Sequence, residues 1–295
     1  MKHYAFVSVI FGGNMYVPGA IVLAESIKIK NKLSNIDIVC LITSDISNNA
    51  KKDLEKVFNR VIRIDYITKE TTPLYSEKQK KRYNTFANKL FTKWRCLTLV
   101  EYKKIIFLDA DMVILGDITS LFELPTPAAP FQWIDIKEDK YRHTNNTYIK
   151  YKHGEQIPID YVRNQLYNIK ASHVLNGELV LISPQVGDME RFLEFINTKQ
   201  VYGHSNCINT MDSQSIVDFY LNINKSFTQI SRIYSNIPWY IDSPTNYKVL
   251  HYYGIKPWST PKDKWPDLHI WWKFADVVYL KYNIDIDQKY FKIIE

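Results

Sequence analysis

The sequence predicts an α/β fold in which one mostly parallel sheet is flanked by helices. Three observations lead there. Short apolar runs alternate with segments of helical period along the first half of the chain. The runs are continuous rather than alternating, as strands covered on both faces require. Two acids, Asp109 and Asp111, stand where the fourth run ends. In parallel sheets, ligands bind outside the carboxyl ends of the strands.

The elements follow in order. Residues 4–11 (YAFVSVIF) read as a buried first strand. Val17, Ala20, Ile21, Ala24 and Ile27 then recur at helical spacing. IDIVCLIT (36–43) is a second strand, and Ser47 stands where an N-cap belongs, ahead of NNAKKDLEKVF. RVIRID (60–65) is a third, short strand. A polar, basic stretch leads to NKLFTKWRCLTLVEY, expected to be a helix with Leu90, Trp94, Leu97 and Val100 near one face. KKIIFLDAD carries the fourth strand. Beyond it the periods weaken. Residues 135–172 are rich in Tyr, Asn and Lys and read as an excursion or lid. HVLNGELVLIS (173–183) reads as a strand interrupted by Asn176-Gly177, and residues 186–197 and 212–222 as helices. YKVLHYYG (247–254) is a short strand ending in His251, and DLHIWWKFADVVYLKY (267–282) a C-terminal helix.

Composition narrows the function classes. A chain of 295 residues, 46% hydrophobic, can bury one large core. Its 21 Tyr and 7 Trp suit clefts for flat or polyhydroxylated ligands, although core packing uses most such residues. The net charge of +7 favours an anionic ligand such as a nucleotide, or serves solubility alone. The densest basic run, Lys78 to Arg82, reads as a solvated loop in preference to a phosphate-facing patch. No DNA- or RNA-binding motif is present, so no nucleic-acid partner is expected. Cys40, Cys96 and Cys207 lie far apart, which fits neither a disulfide framework nor a zinc site and suits a reducing compartment. The N-terminal apolar run is short and ends in Gly12-Gly13, without a signal-peptide cleavage site. No stretch approaches the length that spans a bilayer. A soluble cytoplasmic protein with no membrane partner is expected.

Two motifs carry chemistry. In LDAD, Asp109 and Asp111 are separated by Ala110 and are the only polar residues between IIFL and MVIL. Two carboxylates so spaced, where a strand gives way to a loop, can point at one divalent cation; the ordinary alternative is a turn with two solvated acids. Oxygen ligands suit Mg²⁺ or Mn²⁺, and an added His shifts the preference towards Mn²⁺. Such a cation can bridge the phosphates of a nucleotide diphosphate. In HYYGIKPW (251–258), His251 could complete that site, Gly254 could offer its N–H to a phosphate, and Lys256 could add positive charge. A lone His at a strand end is more often a satisfied core residue.

Four blocks, in order, resemble the glycogenin-like glycosyltransferases, retaining enzymes of glycosyltransferase family 8. They are AFVSVIFGGNMYVPGAIVLAESIK, TKWRCLTLVEYKKIIFLDADMVIL, LNGELVLISP and HYYGIKPW. The resemblance implies the Rossmann-like GT-A fold in a single domain over 1–295. Residues 1–115 would be the nucleotide-binding half, and 116–295 the half for sugar and acceptor. It implies Asp109, Asp111 and His251 as ligands of Mn²⁺, with Mg²⁺ the other candidate, and a UDP-sugar as donor. It places Val9 and Phe11 against the base through the main chain, Tyr16 on the uracil, and Ala110 between the two metal-binding acids. Gly254 and Lys256 would bind the diphosphate, Lys93 and Arg82 would face the donor, and Asn176 would contact the sugar. The spacing of Arg82 to Lys93 departs from the family's. Gln214 matches a residue near the transferring carbon, but Ser213 stands where the family has an acid and Asp212 comes one residue early. Either Asp212 substitutes or the site lacks that acid; a helix N-cap is the ordinary use of such an Asp. A front-face mechanism needs no such nucleophile. Tyr234 falls on the family's self-glucosylated tyrosine. The acceptor hydroxyl is thus a protein tyrosine, a glycan or a polyol. Homodimer formation is also implied. The leading reading is transfer of a hexose, glucose first. UDP-sugar hydrolysis and non-catalytic nucleotide-sugar binding are the alternatives.

Overall fold

The computed structural model describes residues 3–70, 87–131, 151–164, 177–198, 211–236, 247–254 and 256–290. They fall into two compact units. The first comprises residues 1–65, 101–122 and 232–295, and the second residues 66–100 and 123–231.

In the first unit β1 (Tyr4–Ile10) is buried from Ala5 onward. A short 3₁₀ turn (Asn14–Tyr16) leads into α1 (Val17–Lys30), with Pro18 in its first turn. Every residue of α1 from Val17 to Ile27 is buried, so this helix is core on all sides rather than amphipathic. β2 (Ile36–Ile42) is followed by α2 (Asn48–Val57). As expected, Ser47 caps α2: its Oγ accepts the Ala50 N–H at 3.2 Å. β3 (Arg60–Arg63) ends sooner than RVIRID suggests. β4 (Lys104–Leu108) is the fourth expected strand, and β5 (Met112–Ile114) follows after three residues. The strand order is β3-β2-β1-β4, all parallel.

The carboxyl ends of β1, β2 and β4 thus open on one edge, which carries Phe11 to Gly13, Thr43 to Asp45, and Asp109 to Asp111. Two loops on that edge are joined. The Asn14 side chain donates to Ser47 Oγ and accepts the Ser47 N–H, each at 3.0 Å. Arg63 donates to the Thr43 and Ile46 carbonyls and to Asn48 Oδ1.

The second unit contains β6 (Ala128–Ala129), β7 (Gln156–Ile157), α3 (Ile159–Arg163), β8 (Leu179–Ile182), α4 (Asp188–Thr198), α5 (Met211–Asn222) and β9 (Phe227–Gln229). β6 pairs antiparallel with β8 and parallel with β9, and β7 pairs antiparallel with β9. The expected helix around Trp94 is a 3₁₀ helix, Ala87–Thr98. At three residues per turn, Phe91, Trp94 and Leu97 line up, and all three are fully buried. Val100 lies beyond the helix end and is exposed, contrary to the α-helical reading. α4 and α5 meet through an edge-on Phe192–Phe219 pair with ring centroids 5.6 Å apart. Within the irregular excursion, the described residues form β7 and α3.

The chain returns to the first unit with β10 (Val249–His251), α6 (Leu268–Tyr282) and α7 (Ile286–Tyr290). β10 pairs with β5 as an antiparallel ladder, a pairing the sequence did not reveal. α1 is locked to its neighbours by polar contacts as well as packing. Ser26 Oγ accepts the Ile114 N–H of β5 at 3.0 Å. The buried Glu25 carboxylate takes Lys281 Nζ and the Tyr282 hydroxyl of α6. Among the described residues, no helix is long and apolar enough to cross a membrane.

Candidate active site

The two acids of LDAD stand where the chain changes sheets. Leu108 closes β4 fully buried, and Met112 opens β5 fully buried. Asp109, Ala110 and Asp111 bridge the two strands on the open edge. Asp109 is half-buried, Ala110 is 6% exposed and Asp111 7%. The acids therefore terminate a core strand and do not interrupt it.

The β5–β10 ladder supplies the third member. Its register sets His251 opposite Met112, next to Asp111. The Tyr252 N–H donates to the Asp111 carbonyl at 2.9 Å, and the His251 N–H to the Asn236 carbonyl at 2.7 Å, which fixes the backbone on both sides. One ligand atom each from Asp109, Asp111 and His251 then lies within 4.8 Å of the others. His251 Nε2 is 3.2 Å from Asp111 Oδ1.

Lys256 joins this group. Its ammonium pairs with Asp111 Oδ2, donates to the Tyr252 carbonyl at 3.0 Å, and lies 5.5 Å from the centre of the Tyr16 ring. Burial disfavours the charged form of Asp111, yet the positive charges of Lys256 and His251 outweigh it and hold the carboxyl well below its usual range. Burial likewise opposes the charge on Lys256, and the attraction of Asp111 outweighs it, so its pKa lies above the ordinary 10.5. Gly254 makes the turn between His251 and Lys256 with φ of 85°, a left-handed conformation that a side chain rarely adopts.

The donor set fits a divalent cation. Two carboxylates and an imidazole converge, one carboxylate is nearly enclosed yet kept charged, and the mixed oxygen and nitrogen ligands suit Mn²⁺ or a related ion.

Two further residues shape this site and were missed in the sequence. Gly19 lies in α1 directly against it: a Cβ there would fall 2.5 Å from the Ala110 carbonyl oxygen and 2.4 Å from the Trp258 ring. Trp258 in turn meets Tyr16 edge-on at 5.9 Å and Trp271 at 5.5 Å. The one available signal was a glycine inside a helical pattern.

The other expected site residues are placed as follows. Val9 lies in β1, 7% exposed, and Phe11 just past its end. Tyr16, half-buried, ends the 3₁₀ turn before α1. The structure thus brings Tyr16, Asp109, Asp111, His251 and Lys256 together within the first unit. Lys93 lies half-buried in the 3₁₀ helix of the second unit. Asp212 and Gln214 belong to the first turn of α5 in that unit. Arg82 and Asn176 lie outside the described residues. Tyr234 ends a 3₁₀ turn (Arg232–Tyr234) and is 4% exposed. Its hydroxyl is 3.5 Å from both Ser120 Oγ and Lys248 Nζ.

Known proteins resemble this chain in sequence and in fold. An uncharacterised protein of Acanthamoeba polyphaga mimivirus is 33% identical over 190 residues, 64% of this chain and 58% of its own. Glycogenin-1 of Oryctolagus cuniculus is 27% identical over 269 residues, 89% of this chain and 68% of its own. UDP-glucuronate:xylan alpha-glucuronosyltransferase 2 of Arabidopsis thaliana is 25% identical over 265 residues, 89% of this chain and 37% of its own. The chain therefore spans just over half the length of the viral relative and just over a third of the plant enzyme. Among solved structures, the galactosyltransferase LgtC, in complex with donor and acceptor sugar analogs, superposes with a TM-score of 0.52. The match covers 92% of this chain and 95% of LgtC at 14% identity, a likeness of fold. The model of glycosyl transferase family 8 matches residues 9–169. That match takes in more than half of the residues, including the end of the first strand and the Asp109–Asp111 turn, and the chain belongs to glycosyl transferase family 8.

Proposed function

We propose that the chain is a metal-dependent, retaining glycosyltransferase that moves a hexose, glucose first, from a UDP donor to a hydroxyl acceptor. The observation that carries this reading is the convergence of Asp109, Asp111 and His251 at the carboxyl edge of a parallel sheet in a family 8 chain. These three residues would hold the cation, and the imidazole favours Mn²⁺ over Mg²⁺. Bound there, the cation would offset the negative charge that builds up on the departing diphosphate.

The remaining work falls to the chain's own groups. Lys256 brings an ammonium to the diphosphate and Gly254 a backbone N–H. Tyr16 stacks on the uracil, and Val9 and Phe11 meet the base through the main chain. Ala110 keeps the turn narrow between the two acids. Lys93, Arg82 and Asn176 hold the sugar and its phosphates, and Asp212 and Gln214 serve the transferring carbon. Because Ser213 replaces the expected acid, we favour a front-face path. The acceptor oxygen bonds to the anomeric carbon as the bond from that carbon to the phosphate oxygen breaks. The acceptor's proton passes to the departing phosphate. Configuration is retained and no enzyme group is glycosylated on the way.

The name of the plant relative supports a UDP-sugar donor, and the sugar is left to a panel of UDP-glucose, UDP-galactose and UDP-glucuronate. The acceptor is a glycan, a protein tyrosine or a polyol. Self-glycosylation at Tyr234 requires local opening of a side chain that is 4% exposed, whereas an external hydroxyl does not. One catalytic domain, a cytoplasmic location and homodimer formation complete the proposal.

The test is incubation with each UDP-sugar and Mn²⁺, reading UDP release and the products. Release coupled to a glycosylated acceptor is expected, with loss of turnover by at least about a hundredfold in Asp111→Asn. Undiminished turnover in that variant would remove the metal site. UDP release with no glycosylated product would replace transfer with hydrolysis.

A further inference from the structure

We infer that Lys256 is the internal counter-ion of the cation site, and that it and the divalent ion compete for Asp111. The competition couples the two ligands: the cation displaces Lys256, and the donor's diphosphate takes up the freed ammonium. The inference rests on the metal-site reading above and deepens it.

The geometry is specific. Asp111 is 7% exposed, and both of its oxygens are engaged, Oδ1 by His251 Nε2 at 3.2 Å and Oδ2 by Lys256 Nζ. A buried carboxylate keeps its charge only when paired, and Lys256 provides that pairing. The Lys256 side chain is 14% exposed and so is itself committed to the site. Its ammonium also feels the charge of Asp109. One lysine therefore occupies an oxygen of the buried acid that a metal ion would need.

A dication placed among ligand atoms that lie within 4.8 Å of one another would stand within a few ångströms of that ammonium. Like charges at that range repel strongly where water is scarce. The cation therefore binds only as Lys256 withdraws from Asp111 Oδ2. The flexible four-carbon stem lets the ammonium move, and the face of the Tyr16 ring, 5.5 Å away, offers a resting place beside the proposed nucleotide position. A diphosphate then serves both cations at once. Metal alone should bind weakly, diphosphate should strengthen it, and the reverse should hold by linkage.

The experiment measures Mn²⁺ binding to the full chain by the electron paramagnetic resonance signal of the free ion, with and without UDP. Wild type is compared with Lys256→Met and Lys256→Gln, the second variant keeping a donor for the Tyr252 carbonyl without the charge. Without UDP, both neutral variants should bind Mn²⁺ roughly tenfold more tightly than wild type, because Asp111 then lacks its competing partner. The strengthening by UDP should be large in wild type and small in both variants. Folding is checked by circular dichroism, and one folded variant suffices. Equal or weaker Mn²⁺ affinity in a folded neutral variant overturns the exchange while leaving the metal site in place. Absence of Mn²⁺ binding in every protein, with and without UDP, overturns the metal site itself and the exchange with it.

Discussion

At the scale of single residues, Asp111 holds a charge in near-complete enclosure because Lys256 and His251 surround it, and Asp109 completes a cluster that concentrates negative charge at one edge of the sheet. The D-x-D pattern, common by itself, was legible because its two acids are the only polar residues in an apolar run. His251 was a candidate from its place at the end of an apolar run, and the resemblance to the family singled it out, since a lone His there is ordinary. Lys256 was expected to face a phosphate, and its pairing with Asp111 was invisible because no local pattern links residues 145 positions apart. Tyr234 carries the next prediction. Its hydroxyl lies 3.5 Å from both Ser120 Oγ and Lys248 Nζ, so Tyr234→Phe should cost about 1 kcal/mol in denaturant unfolding. If intact mass shows hexose added to wild type after incubation with UDP-glucose and Mn²⁺, loss of that increment in Tyr234→Phe places the acceptor there. A persistent increment places it elsewhere.

At the scale of elements, α1 fits beneath the Asp109–Asp111 turn only because position 19 lacks a side chain. Gly19→Ala should push Ala110 or Trp258 aside. Overpacking of this kind costs about 1–3 kcal/mol, and the two acids would move with Ala110. Mn²⁺ affinity in the Ala variant should fall along with thermal stability; stability loss with unchanged affinity would show that the turn does not depend on α1. A second element contact joins α2 to α7, where Asp53 is 3% exposed and accepts from Lys289 and from the Tyr290 hydroxyl at 2.6 Å. Burial raises the Asp53 pKa, but the hydrogen bonds from Lys289 and Tyr290 and the charge of Lys289 outweigh it and leave the value below the ordinary 3.8. A carboxyl lowered on folding stabilises the fold above 3.8 and loses that contribution as pH falls through its folded-state value. Asp53→Asn should therefore cost about 1–2 kcal/mol at pH 7 in urea unfolding. The gap to wild type should close in acid below pH 3.8, and a constant gap across that range would count against the clamp.

At the scale of the whole molecule, the first unit is assembled from three separated stretches of chain, and the last of them closes the site by pairing β10 with β5. A cation bound by Asp109, Asp111 and His251 joins two of those stretches, so it should stabilise the folded chain. Mn²⁺ at a hundredfold excess over its dissociation constant contributes about 2.7 kcal/mol, and the melting temperature should rise and fall back on chelation. No rise in wild type together with UDP would remove the cation from the fold's energetics. The sequence by itself determined the parallel βαβ order, the capped α2, the buried strands and the acids at the end of β4. Those follow from hydrophobic period and local capping, which act over a few residues. The switch of sheets after Asp111, the register of His251 against Met112, the pairing of Lys256 with Asp111 and the contact of Gly19 with Ala110 were decided only by the tertiary structure. Each joins residues far apart in the chain, and such pairings are set by packing and burial in three dimensions, which leave no periodic trace in the sequence.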